Sequence, residues 1–362
     1  MASTQPHAEE TLNALFATFA PLAMLALGVR LSADSRRRLL GIVLALAALS
    51  AVVGFLQVLG DPQSSLYFYN VTNRGAGVGL FANRNHQALL LAMMLPMLAA
   101  SYVLAQHKRT KSNPLANGAM LLLALCLLPL ILVTGARLGL IAAAIALVPS
   151  FLLVQGVASA AGSGGLPVRS NVLLGLVAAL VIGLVALTVW AGRGIAFERL
   201  IGATSVEDMR VLILPTMLTM IRMYFPTGSG MGSFERIYQV HEPDALLQPT
   251  YMNHAHNDWL EVLLNAGIFG AALLAAATAA YCIVLWRAFV PAHRLRDATS
   301  LVLARLGVIL IGLLGLGSIS DYPLRTPSLA ALFVIAVLWA APLGRSGGEA
   351  ALPDDGRADD ND

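Results

Sequence analysis

The 362 residues are 57% hydrophobic and only 12% charged, with a formal net charge of +3 and a mean hydropathy of +0.74. That balance excludes a soluble globular domain, and nucleic acid is not an expected partner. Membrane lipids are.

Apolar runs long enough for a hydrocarbon core, which takes about 20 residues, fall near 12–29, 39–59, 86–105, 115–134, 138–157, 171–191, 259–286, 301–319 and 328–343. Only helices and closed barrels satisfy the backbone in lipid, and these runs lack strand alternation. The expected fold class is therefore all-α: a polytopic helical membrane protein of about nine spans, the last one short. Residues 1–345 read as one integral-membrane domain with a large outer loop at about 192–258. The tail 346–362, with its Asp354-Asp355 and Asp359-Asp360 pairs, reads as disordered and cytoplasmic.

At the start, Met1 to Glu10 is polar, and the next apolar run has no small-residue cleavage pattern. It reads as a span, with the N-terminus outside. Connections holding Arg30, Arg36, Arg37 and Arg38, then Lys108, Arg109 and Lys111, then Arg287, Arg294 and Arg296 share one side. The positive-inside rule makes that side cytoplasmic. The opposite side carries arginine as its only basic residue: Arg74, Arg84, Arg137, Arg193, Arg199, Arg210, Arg222, Arg236 and Arg325. Guanidinium forks suit phosphate or carboxylate, although a codon bias against lysine would leave the same pattern. Cys126 and Cys282 fall inside spans as small apolar fillers and form no disulfide framework.

Thr134-Gly135-Ala136-Arg137 joins two almost continuous spans, so Arg137 is held at or just below the outer interface. A cation there has a partner, a function, or a path to the headgroups. In the long outer segment, Ser205-Val206-Glu207-Asp208 has the form of a helix start. Met209, Ile213, Met217, Met220 and Tyr224 follow at helical spacing, with Arg210 and Arg222 off the stripe. This predicts a helix lying along the membrane–water boundary, kinked at Pro215. The glycines of Pro226-Thr227-Gly228-Ser229-Gly230-Met231-Gly232 could bring backbone N–H groups to a phosphate, though a plain turn is the stronger reading.

His254-Ala255-His256-Asn257-Asp258-Trp259 then runs straight into a span. Imidazole titrates near neutrality and can take a proton from a hydroxyl. Its place beside the outer loop points to chemistry on a lipid-borne substrate, with an interfacial anchor as the alternative. Gly267, Ala271, Ala275 and Ala279 form a small-residue stripe on the following span. The stripe is expected to admit a close neighbouring helix and fix where the imidazole points. Arg325 closes Ser320-Asp321-Tyr322-Pro323-Leu324-Arg325, where Asp321 is its expected structural partner.

His256-Asn257, nine residues, then Gly267-Ile268-Phe269-Gly270 resembles the signature of the O-antigen ligase and O-antigen polymerase-like membrane glycosyltransferases. Thr134 to Arg137 is similar to the first arginine motif of that family, and Arg210, ahead of Pro226 and Gly230-Met231-Gly232, to the second. Asp321 to Arg325 and Phe81-Ala82-Asn83-Arg84-Asn85-His86 also fit its patterns, so the likeness runs from about 39 to 330. Members usually carry about a dozen helices, which points to some missing here on the N-terminal side.

The resemblance implies transfer of a glycan from undecaprenyl-diphosphate to an acceptor hydroxyl, the lipid A core or another glycan. It places the protein in the bacterial inner membrane with its active site facing the periplasm, and needs neither metal nor cofactor. His256, Arg137 and Arg210 are the expected catalytic residues, and Arg325, His254, Asn257 and Arg222 the expected substrate ligands. A diphosphate already leaves well, so its developing charge calls for cations rather than a carboxylic acid. The same residues would serve a polysaccharide polymerase or a protein O-oligosaccharyltransferase. A secondary transporter would instead show repeated halves and polar groups at mid-membrane.

Overall fold

The computed structural model describes residues 5–108, 114–160, 210–247, 252–290 and 298–341. In chain order its helices are α1 Gln5–Gly28, α2 Ala33–Leu59, α3 Arg84–Lys108, α4 Pro114–Thr134 and α5 Arg137–Ala160. After these come α6 Leu214–Tyr224, α7 Phe234–His241, α8 Asp258–Phe289, α9 Ala298–Gly317 and α10 Pro327–Ala340. Among the described residues there is no strand. Helices occupy eight of the nine expected spans, and the remaining one, 171–191, lies outside the described residues. Among the described residues six helices are long and apolar enough to cross a membrane: those at Thr11–Gly28, Ala33–Leu59, Arg84–Gln106, Arg137–Val154, Asp258–Phe289 and Ala298–Gly317.

Helix α3 is the centre of the bundle. Leu89, Leu91, Met93, Met94 and Met97 are at most 1% exposed, and α2, α4, α5 and α9 pack around it. A helix that is apolar on every side has no solvent face to offer and ends up enclosed. Small residues set the close approaches. A Cβ on Gly139 of α5 would collide with Ala88 of α3, and one on Gly307 of α9 with the α10 backbone at Ala336.

The two ends of the bundle differ. At one, buried Arg36 donates to Leu338 O (2.5 Å), and Trp339 Nε1 donates to Arg36 O (2.8 Å), tying the start of α2 to the end of α10. At the other, the connections after α2 and α9 meet Arg210, just ahead of α6, at Asp321. Gln57 orders the first of these. Its amide donates to Leu66 O (2.7 Å) and Gly79 O (3.0 Å) and accepts from the N–H groups of Val78 (3.0 Å) and Gly79 (2.8 Å).

The stripe of α6 exists, but it does not face lipid. Ile213, Met217 and Met220 are buried against Phe234, Tyr238, Ala255 and Leu264, so the segment folds over the start of α8 on its own small core. Residues 210–212 are helical and Ile213 is a turn, so the helix is interrupted just ahead of Pro215, where the kink was expected, and Pro215 lies in the first turn of α6, where a missing N–H is harmless. The expected helix start at 205–208, and Met209 with it, lies outside the described residues.

The glycine turn has a structural task. Ser229 N–H donates to Leu264 O (2.8 Å) and Gly230 N–H to Asn265 O (3.0 Å), while Ile268 N–H donates back to Pro226 O (2.8 Å). Those N–H groups are therefore spent on α8 and form no phosphate cradle. The exchange requires a break in α8, which Gly267 supplies at φ 52° and ψ −127°. Among the described residues nothing packs on the outer part of the expected small-residue face, where Ala275 and Ala279 are exposed. Gly267 is glycine because of its positive φ and the backbone of Pro226 and Gly228 pressed against it.

Candidate functional site

Asp321 is the centre of the polar end. It follows α9, is 0% exposed, and gathers donors from four parts of the chain. Its Oδ2 accepts from Asn83 Nδ2 (3.2 Å), Asn85 Nδ2 (2.6 Å) and Arg210 Nη2 (3.3 Å). Its Oδ1 accepts from the Tyr322 N–H (3.0 Å), faces His256 Nδ1 at 3.2 Å and has His86 Nε2 at 3.8 Å. Burial alone would raise this carboxyl. The hydrogen bond from His256, the Arg210 charge and the two imidazoles override burial and hold it well below the usual carboxylate range.

This arrangement sets the tautomer of His256. Its Nδ1 lies 3.3 Å from Arg210 Nη2 and 3.2 Å from Asp321 Oδ1. Nδ1 either accepts from Arg210 or donates to Asp321, and an unprotonated Nδ1 would face the charged carboxylate lone pair to lone pair, which favours Nδ1–H donating to Asp321. Nε2 then carries the lone pair. A carboxylate that orients an imidazole in this way is the support a general base needs. The His256 side chain is 16% exposed, so the ring is held without being sealed. Its backbone adopts φ 50°, a region costly for a residue with a Cβ.

Asn257, expected as a substrate ligand, caps α8: its side chain accepts the Leu260 N–H at 3.1 Å. His254 turns to Glu261, with Nδ1 3.3 Å from Oε1. Arg325, also expected to bind substrate, is engaged by two carboxylates of α8, Asp258 Oδ1 at 2.9 Å and Glu261 Oε1 at 3.1 Å. Asp321 is therefore not its partner, contrary to expectation. The phenol ring of Tyr322 lies among three imidazoles, with centroids 5.4 Å from His86, 4.7 Å from His254 and 5.0 Å from His256.

Arg137, partly buried, opens α5 two residues before the Gly139–Ala88 approach, and so stands level with the first turns of α3 that carry His86. Arg222 is exposed in the last turn of α6, three turns along from Arg210. Of the expected residues, the structure brings together Arg210, His256 and the flanking His254, and places Arg222 apart.

Sequence reasoning missed Asp321 as the orienting acceptor, His86 beside it, and the pair Asp258 and Glu261. The last two carried a signal: carboxylates within an apolar span are expensive in lipid and imply a partner.

A cavity of about 620 Å³ reaches this cluster from within the bundle. Val43, Leu46, Leu90, Leu329, Leu332 and Ile335 make its apolar body, and Asn83, His86, Tyr322 and Arg325 stand at its polar end.

Residues 119–275 match the family model described as O-antigen ligase. The matched stretch holds Arg137, Arg210, His254, His256 and Gly267; Asp321, His86 and Arg325 lie outside it. No curated protein matches the chain.

Proposed function

We propose that this chain, an O-antigen ligase-like multi-pass membrane protein by its match over 119–275, transfers a glycan from undecaprenyl-diphosphate to an acceptor hydroxyl at the periplasmic face of the bacterial inner membrane. The observation that carries the reading is His256 oriented through Nδ1 by buried Asp321, with Arg210 at the same carboxylate.

In this reading the acceptor oxygen attacks the anomeric carbon of the donor glycan. The bond from that carbon to the phosphate oxygen breaks, the new glycosidic bond forms, and the acceptor proton passes to His256 Nε2. The diphosphate leaves with the bonding electrons, and Arg210 and Arg137 stabilise its charge. Fixed cations aimed at developing charge act strongly in a water-poor site because they need no reorganisation. The apolar cavity ending at Asn83, His86 and Tyr322 suits the hydrocarbon chain of the lipid carrier. The lipid A core is the proposed acceptor.

The test is expression of His256→Ala and His254→Ala in a host lacking its own ligase, with glycan transfer followed on gels. His256→Ala should abolish transfer, and His254→Ala should retain part of it. A full glycan ladder from the His256 variant would overturn the assignment. Failure of both the wild-type chain and its variants on lipid A core, with lengthening of free polysaccharide, would reassign the acceptor.

A further inference from the structure

The His256–Asp321 pair joins segments 65 residues apart in the chain. Neither segment is regular at that point. His256 sits at φ 50° in the loop ahead of α8, and Asp321 lies between α9 and the short 3-10 turn Pro323–Arg325. A contact between two loops, one of them strained, needs an outside constraint to stay within hydrogen-bond reach.

One side chain touches both flanks. Glu261, in the first turn of α8, is buried to 1% exposure. Its Oε2 accepts the N–H of Ala255, the residue before His256, at 2.9 Å. Its Oε1 takes Arg325 Nη2, four residues after Asp321, at 3.1 Å and faces His254 Nδ1 at 3.3 Å. We infer that Glu261 is the positioning residue of the His256–Asp321 pair, a single carboxylate that fixes the base loop and the Asp321 loop to one helix turn.

Asp258 does not duplicate this. It bonds Arg325 Nε at 2.9 Å and Ser318 Oγ at 3.3 Å, and so holds the Asp321 side only. Removing Glu261 alone strands the Arg325 charge and the Ala255 N–H, so a loss of stability follows whether or not the carboxylate sets a distance. Only its coupling to Asp321 in the catalytic rate separates the two roles.

The inference rests on the proposed role of His256, so the test is a kinetic double-mutant cycle on the full-length purified protein with an undecaprenyl-diphosphate-linked glycan as donor. Glu261→Ala should lower kcat by about 10²-fold, the loss expected from about 1 Å of misplacement. KM for the donor should stay within about threefold, because no donor contact is removed. In an Asp321→Ala background the pair is already broken, and Glu261→Ala should then cost less than about threefold more. Glu261→Gln keeps an acceptor for the Ala255 N–H and should regain about tenfold over the alanine variant.

Equal losses from Glu261→Ala in both backgrounds would show a general structural role and overturn the inference, as would an undiminished kcat. If the alanine variant fails to reach the membrane, Glu261→Gln runs the same cycle, with a loss of about tenfold predicted in the wild-type background and none with Asp321→Ala. An active His256→Ala control would refute the base assignment itself, and so separates that failure from this one.

Discussion

Asp321→Asn changes one atom and reverses the logic of the site. The carboxylate presents acceptors only, and its Oδ1 is 3.2 Å from His256 Nδ1 while its Oδ2 takes two asparagine amides and Arg210. An asparagine in the same rotamer keeps one acceptor. With three donors on the Oδ2 side, the oxygen belongs there and the new NH2 group faces His256. Nδ1 must then accept, the proton moves to Nε2, and the base loses the lone pair that takes the acceptor proton. General acid–base help is worth about 10²–10⁴-fold, so the variant should lose that factor in kcat, close to the loss in His256→Ala. The double variant should be little worse than either single one, since residues that act as a unit are not additive. Measured transfer from an undecaprenyl-diphosphate donor by the purified protein gives all three rates. Asp321→Asn retaining more than about a tenth of wild-type kcat, below any value in that range, would refute the orienting role.

Three further outcomes follow from the same contacts. Arg210→Lys keeps a charge but loses the guanidinium Nη2 that reaches Asp321 Oδ2 and His256 Nδ1, and the planar fork proposed for the departing diphosphate. Transfer should fall about 10²-fold, and near-normal activity would reduce Arg210 to a source of general positive potential. Gly267→Ala places a Cβ at φ 52° against Pro226 and Gly228. The strain, about 1–3 kcal/mol, should lower the unfolding midpoint in detergent, and an unchanged midpoint would mean the break in α8 is not needed. Asp321 has its carboxyl held below the ordinary value. Its contribution to stability is therefore complete above about pH 4 and is lost as pH falls through the folded value. The Asp321 share of the decline, read as the difference between wild type and Asp321→Asn, should set in only below that pH. If Asp321→Asn shows the same acid decline, another group is responsible.

The membrane class was legible from composition and run length alone, because lipid leaves the backbone only one common way to satisfy itself over spans of this kind. Eight helices lie where apolar runs predicted them. Their caps were legible in part: Asn257 was read for substrate as part of the His256-Asn257 signature, and a side-chain oxygen ahead of an apolar run is also what a helix start needs. His256 and Arg210 were identified by local pattern, and the structure joins them.

What sequence could not supply was partnership across distance. Asp321 and Arg325 are four residues apart, which made them natural partners on paper. In the folded chain, Arg325 turns to Asp258 and Glu261, and Asp321 to Arg210, His256 and the two asparagines. The glycines of 226–232 read as a plain turn, with a phosphate loop as the weaker alternative, and Gly267 as part of a helix-packing stripe. They are two halves of one backbone joint. Hydrophobic periodicity reports which face of an element is apolar, but it carries no information on which polar groups are left to find each other once those faces are buried. Buried donors and acceptors must pair with whatever the bundle brings within about 3 Å. That choice belongs to the tertiary structure.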